Sequence, residues 1–122
     1  MPSDPAEPTA PWIEMTPGVR RRTLTSGEAL MQMVVTFTAG TRLPEHSHPH
    51  EQVAFVSAGS MRFTLHGGRE ERVVRAGESI HLAPHVPHGA EALEDATVID
   101  TFSPPREDLL EQDRAQAATV RV

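Results

Sequence analysis

Hydrophobic and polar residues alternate along much of this chain with the period of two that a half-buried β-strand needs. The segment 60–66, SMRFTLH, sets Met61, Phe63 and Leu65 on one face and Arg62 and Thr64 on the other. The segment 30–38, LMQMVVTFT, sets Met31, Met33, Val35 and Phe37 against Gln32, Thr36 and Thr38. Residues 53–56 form a compact apolar run, and further strands are predicted over 19–25, 70–75, 79–83 and 96–102. Gly67 and Gly68 supply a hairpin turn into the 70–75 strand, and Ala76, Gly77 and Glu78 supply the next turn. Turn signals recurring every ~8 to 12 residues predict an all-β sandwich or barrel.

The two ends depart from this rhythm. Residues 1–11, MPSDPAEPTAP, hold four prolines and little to bury, and read as a flexible tail, with order expected from Trp12 and Ile13. Near the other end, Pro104 and Pro105 stop the last strand. The acids Glu107 and Asp108 then stand where a helix N-terminus favours negative charge, which predicts a short helix over about 106–117. No repeat and no second domain is visible, so 12–122 is expected to be one domain.

Composition narrows the chemistry. The 122 residues include no cysteine, which excludes disulfides, thiolate metal ligands and a cysteine nucleophile. Seventeen acidic against eleven basic residues give a formal charge of -6, a poor match for nucleic acid. The one basic run, Arg20, Arg21 and Arg22, reads as a solvated strand segment. No stretch approaches the ~20 apolar residues of a membrane span, and a cytoplasmic location without a membrane partner is expected.

Seven histidines against four phenylalanines, one tryptophan and no tyrosine are the unusual feature. His46, His48 and His50 fall within five residues. In an extended segment, spacings of two and four put His46, His48 and Gln52 on one face. If His88 reaches the same point, three imidazoles and an amide oxygen make a site for one divalent ion; zinc, nickel, manganese and iron all suit such donors. His50 shares the even register, but Pro49 leaves its direction open between ligand and rim. His66, His81 and His85 read as surface, loop or core residues.

The stretch 40–59, GTRLPEHSHPHEQVAFVSAG, resembles the first motif of the cupins. A glycine stands six residues before the His-x-His pair, and another stands seven after the position that is usually acidic. Only Gln52, in place of glutamate, departs from it. The stretch 77–88, GESIHLAPHVPH, resembles the second motif, ending on His88. Ala83 stands at the usual proline with Pro84 beside it, and Ala92 stands at the usual asparagine. The resemblance implies a double-stranded β-helix (jelly-roll) barrel with metal ligands His46, His48, Gln52 and His88. A neutral amide leaves the charge of a dication uncompensated, which favours Lewis-acid or proton-transfer chemistry over oxygen activation.

The combination of HSHPHEQ with 100–108, DTFSPPRED, further resembles the small cupins that open 4,5-unsaturated uronates from pectin and alginate. That resemblance implies a pocket carboxylate at Asp100, an aromatic at Phe102 and a carboxylate-binding Arg106. From the residues alone, each has a second reading. Asp100 can face outward, Phe102 can be core filler, and Arg106 can pair with Asp108 or Glu111 on the helix. The expected substrate is a small carboxylated sugar. A cupin polyketide cyclase, a non-haem dioxygenase and a non-catalytic metal or sugar carrier are the competing readings. A homodimer is expected, with the 19–25 segment as the pairing strand.

Overall fold

The structure, a computed structural model, describes residues 10–120. Of the expected tail, residues 1–9 therefore lie outside the described residues; at residue 10 the Ala10 carbonyl accepts a hydrogen bond from Arg22 Nε at 3.0 Å. Ten antiparallel strands follow: β1 (Ile13–Thr16), β2 (Val19–Ser26), β3 (Met31–Phe37), β4 (Arg42–His46), β5 (Glu51–Ala58), β6 (Ser60–Leu65), β7 (Glu70–Arg75), β8 (Ser79–Leu82), β9 (His88–Ala92) and β10 (Ala96–Ser103). One helix, α1 (Glu107–Val120), closes the chain. The strands form a six-stranded sheet, β1-β2-β3-β10-β5-β8, facing a four-stranded sheet, β4-β9-β6-β7. This is the expected all-β barrel with a C-terminal helix.

Alternation explains the core. Met31, Met33, Val35 and Phe37 point inward from β3, and Met61, Phe63 and Leu65 point inward from β6. They meet Ala54, Val56, Val98 and Phe102 in one apolar cluster. β10 lies between β3 and β5, with Asp100 opposite Met33 and Ala54, and Phe102 opposite Met31 and Gln52. A strand from near the chain's end thus carries its side chains into the barrel's centre. At the β5–β6 turn Gly59 has a φ of 78°, and a Cβ there would lie 2.1 Å from the Asp95 carbonyl oxygen, so only glycine fits.

The apolar run 53–56 alternates within β5, leaving Val53 and Phe55 each 39% exposed on the outer face of the larger sheet. The structure differs from expectation at two places. The Arg20, Arg21 and Arg22 triplet is not uniformly solvated, because strand alternation sends its middle member inward. Arg21 is fully buried and pairs with Asp113 Oδ1 at 3.0 Å, Gln112 Oε1 at 3.0 Å and the Leu109 carbonyl at 3.2 Å. Thr23 donates to the other oxygen of Asp113 at 2.6 Å. A guanidinium is tolerated inside only with such partners, and these dock α1 on β2. Trp12 covers the outward pair, 4.8 Å from the Arg20 guanidinium and 5.6 Å from that of Arg22. Finally, the 19–25 strand is not a free edge, since β1 and β3 occupy both sides of β2.

Candidate metal centre

Strand register builds the site. His46, the last residue of β4, pairs with His88, the first of β9. His48 follows two residues later in the β4–β5 connection, and Gln52 enters from β5 in the opposite sheet. The rings of His46 and His88 are 4.5 Å apart, those of His48 and His88 4.9 Å, and those of His46 and His48 5.6 Å. One nitrogen from each lies within 4.8 Å of the others. All four residues expected to be ligands therefore converge.

The backbone fixes which nitrogens face the centre. Nδ1 of His46 lies 3.0 Å from the Pro44 carbonyl, that of His48 3.0 Å from the His50 carbonyl, and that of His88 2.9 Å from the Val86 carbonyl. A carbonyl only accepts, so each Nδ1 carries the proton and each Nε2 offers a lone pair. Such carbonyl contacts orient metal-binding histidines generally. Burial pushes His48 down to about 4, helped by the positive charge of Arg106, and burial likewise holds His88 below its ordinary value. Both are neutral near pH 7, the form a metal requires.

Two polar atoms are then left in an arrangement that the protein alone does not satisfy. Nε2 of His88 is buried without a hydrogen-bond partner. Nε2 of His48 faces Gln52 Oε1 at 3.1 Å, and both atoms are acceptors in the tautomer just derived. The amide is held this way round because Gln52 Nε2 donates to Asp100 Oδ1 at 2.8 Å. Turning it over would set its carbonyl against the carboxylate. His48 and His88 bring their lone pairs from buried rings and His46 from an exposed one, so the three imidazole nitrogens with one amide oxygen could hold a divalent first-row ion.

The remaining candidates lie beside this cluster. Asp100 points inward and is only 7% exposed; burial pushes its carboxyl up to about 6, against the opposing pull of the Gln52 hydrogen bond and Arg106. Phe102 is 1% exposed, edge-on to His48 at 5.8 Å, and carries the Arg106 guanidinium 5.2 Å above its ring. Arg106 pairs with Asp108, the helix partner foreseen as its second reading. His50 stays outside the nitrogen cluster and contributes its backbone carbonyl. His66, His81 and His85 are exposed, His81 against Glu51. A cavity of about 270 Å³ adjoins the centre. His46, Gln52, His88, Asp100 and Arg106 are its polar lining, and Met33, Val35, Phe63 and Leu82 are part of its apolar wall. The carbonyls of Pro44 and Val86 were not legible in the sequence, because every residue type has one.

A protein-family model described as the cupin domain matches residues 33–102, the span from β3 through Phe102 that contains all four converging donors. The chain belongs to the cupin family. This cupin is 37% identical over 102 residues to the pectin degradation protein KdgF of Dickeya dadantii (strain 3937), covering 82% of the chain and 91% of that relative. Among solved structures it is similar to KdgF from Halomonas sp., with 36% identity and a TM-score of 0.76 over 81% of this chain and 90% of the other. It is also similar to an RmlC-like cupin from Shewanella frigidimarina, with 33% identity and a TM-score of 0.75 over 88% and 93%. Arg106 lies just beyond the matched segment, so the cupin family model does not reach it.

Proposed function

We propose that this cupin holds one divalent metal ion on His46, His48, Gln52 and His88 and opens 4,5-unsaturated monouronates to linear keto acids. The observation that carries the reading is the buried Asp100 carboxylate, which lines the cavity 2.8 Å from the amide of Gln52. Similarity to KdgF, a protein named for pectin degradation, supports the substrate class. When bound, the metal supplies Lewis acidity toward a substrate oxygen. Ring opening breaks the bond between the anomeric carbon and the ring oxygen. It removes a proton from the anomeric hydroxyl and places one on the alkene carbon, with no net change in atoms. Asp100, whose burial beside the donors holds its carboxyl above the ordinary carboxylate range, is suited to take the first proton and return the second. Arg106 binds the substrate carboxylate from the cavity wall, and Phe102 supports it from below.

Cavity size favours this reading over the cyclase. A volume of about 270 Å³ is below the ~300 to 1,000 Å³ of pockets for drug-sized ligands, which suits one sugar ring better than a polyketide. The neutral donor set argues against the dioxygenase. Metal-loaded protein is expected to speed the loss of conjugated-alkene absorbance from an unsaturated monouronate; a rate equal to that of metal in buffer removes the reading.

A homodimer and a cytoplasmic location belong to the same proposal, the latter to be checked by cell fractionation. The exposed Val53 and Phe55 on the outer face of the larger sheet support that face as the proposed dimer contact. Sedimentation is expected to give twice the chain mass for the wild type and the single mass for Phe55→Arg. A wild-type monomer contradicts it.

A further inference from the structure

Arg106 does not hold its position alone. Its Nε donates to Asp108 Oδ1 at 3.0 Å and its Nη2 to Asp108 Oδ2 at 2.9 Å, two parallel bonds along one edge of the guanidinium. The plane lies over Phe102, and the Arg106 backbone N–H is held by Met31 Sδ at 3.4 Å. Among the described residues no hydrogen bond is made by Nη1, so the opposite edge is free. The Arg106 side chain is largely buried while that of Asp108 is exposed.

We propose that Asp108 is a positioning residue. It locks the guanidinium so that the free edge, Nη1 with the second N–H of Nη2, meets a ligand carboxylate in the cavity. This rests on the reading above that Arg106 binds the substrate carboxylate. A free arginine side chain samples many rotamers, and a bidentate partner removes that freedom before the ligand arrives. The opposite effect, repulsion between Asp108 and the ligand's charge, is weakened by solvent around the exposed Asp108. Orientation therefore wins, and the two effects predict opposite signs for Asp108→Ala.

The test uses the metal-loaded full chain as wild type, Asp108→Ala, Asp108→Glu and Glu107→Gln. The last removes the same charge from the same helical turn without touching Arg106. Steady-state kinetics on an unsaturated monouronate are read beside calorimetric binding of D-galacturonate, a carboxylated probe whose binding needs no turnover. Asp108→Ala is expected to raise KM about five- to tenfold and weaken galacturonate by a similar factor, with kcat nearly unchanged. Asp108→Glu recovers part of both losses, and Glu107→Gln matches the wild type. A KM that is unchanged or lowered in Asp108→Ala overturns the proposal, as does an equal loss in Glu107→Gln. If the wild type turns over no uronate yet galacturonate binding still depends on Asp108, ring opening fails and the positioning role stands. Absence of galacturonate binding to the wild type removes Arg106 as a carboxylate site, and the role of Asp108 with it.

Discussion

Asp100→Asn is expected to lose at least about a hundredfold in kcat while keeping its metal, and to be more stable than the wild type above pH 6. Asparagine keeps an oxygen where Gln52 Nε2 donates, so the amide stays turned toward the histidines. What it loses is the ability to take up and release a proton. The stability change follows from linkage. Burial holds the Asp100 carboxyl at about 6 rather than its ordinary 3.8, so between those values the folded chain keeps a proton that the unfolded chain releases. Stability from this group is therefore complete below about pH 4 and falls as pH rises through 6. In metal-free protein at pH 8 the ionised, buried carboxylate costs roughly 2 to 3 kcal/mol, which asparagine relieves. Denaturant melts at pH 8 and pH 4 are expected to show that gain at the first pH and little at the second. Retained turnover returns Asp100 to a structural role. A carrier, which has no catalysis to lose, shows the stability change alone.

His88→Ala is expected to weaken metal binding by roughly a hundredfold or more, since even residues that only orient a ligand cost ten- to a hundredfold. Thermal unfolding reads the effect directly. Metal at a hundred times its dissociation constant adds about 2.7 kcal/mol to the folded state, or roughly 10 °C for a chain of this length. At the same metal concentration that increment falls to about 0.4 kcal/mol or less in the variant. Without metal the substitution is expected to matter much less. The cavity it leaves destabilises, but the buried Nε2 that lacks a partner is also removed. A variant with the full metal-dependent increment refutes His88 as a ligand.

Much of the barrel was legible because strand alternation is a local rule. The inward sets on β3 and β6 are read directly from every second residue, and the edges of β7 follow from Gly68 and Ala76. The donors were legible because two short motifs place them. What the sequence hid depends on contacts between distant segments. Arg21 looked like the centre of a charged run, and only the docking of α1, with Asp113 and Gln112, makes its burial possible. In the run 53–56 apolar residues fill both faces, so alternation alone does not say which face turns inward; pairing with β10 sets it. The direction of Gln52 likewise needed Asp100, 48 positions away, to receive its amide N–H.

Metal content decides whether the converging histidines hold an ion. Wild-type protein and the triple variant His46→Ala, His48→Ala, His88→Ala would be loaded with zinc, dialysed exhaustively against metal-free buffer and compared by elemental analysis. About one ion per chain is expected in the wild type and essentially none in the variant. Equal content in the two, or none in the wild type, contradicts that expectation.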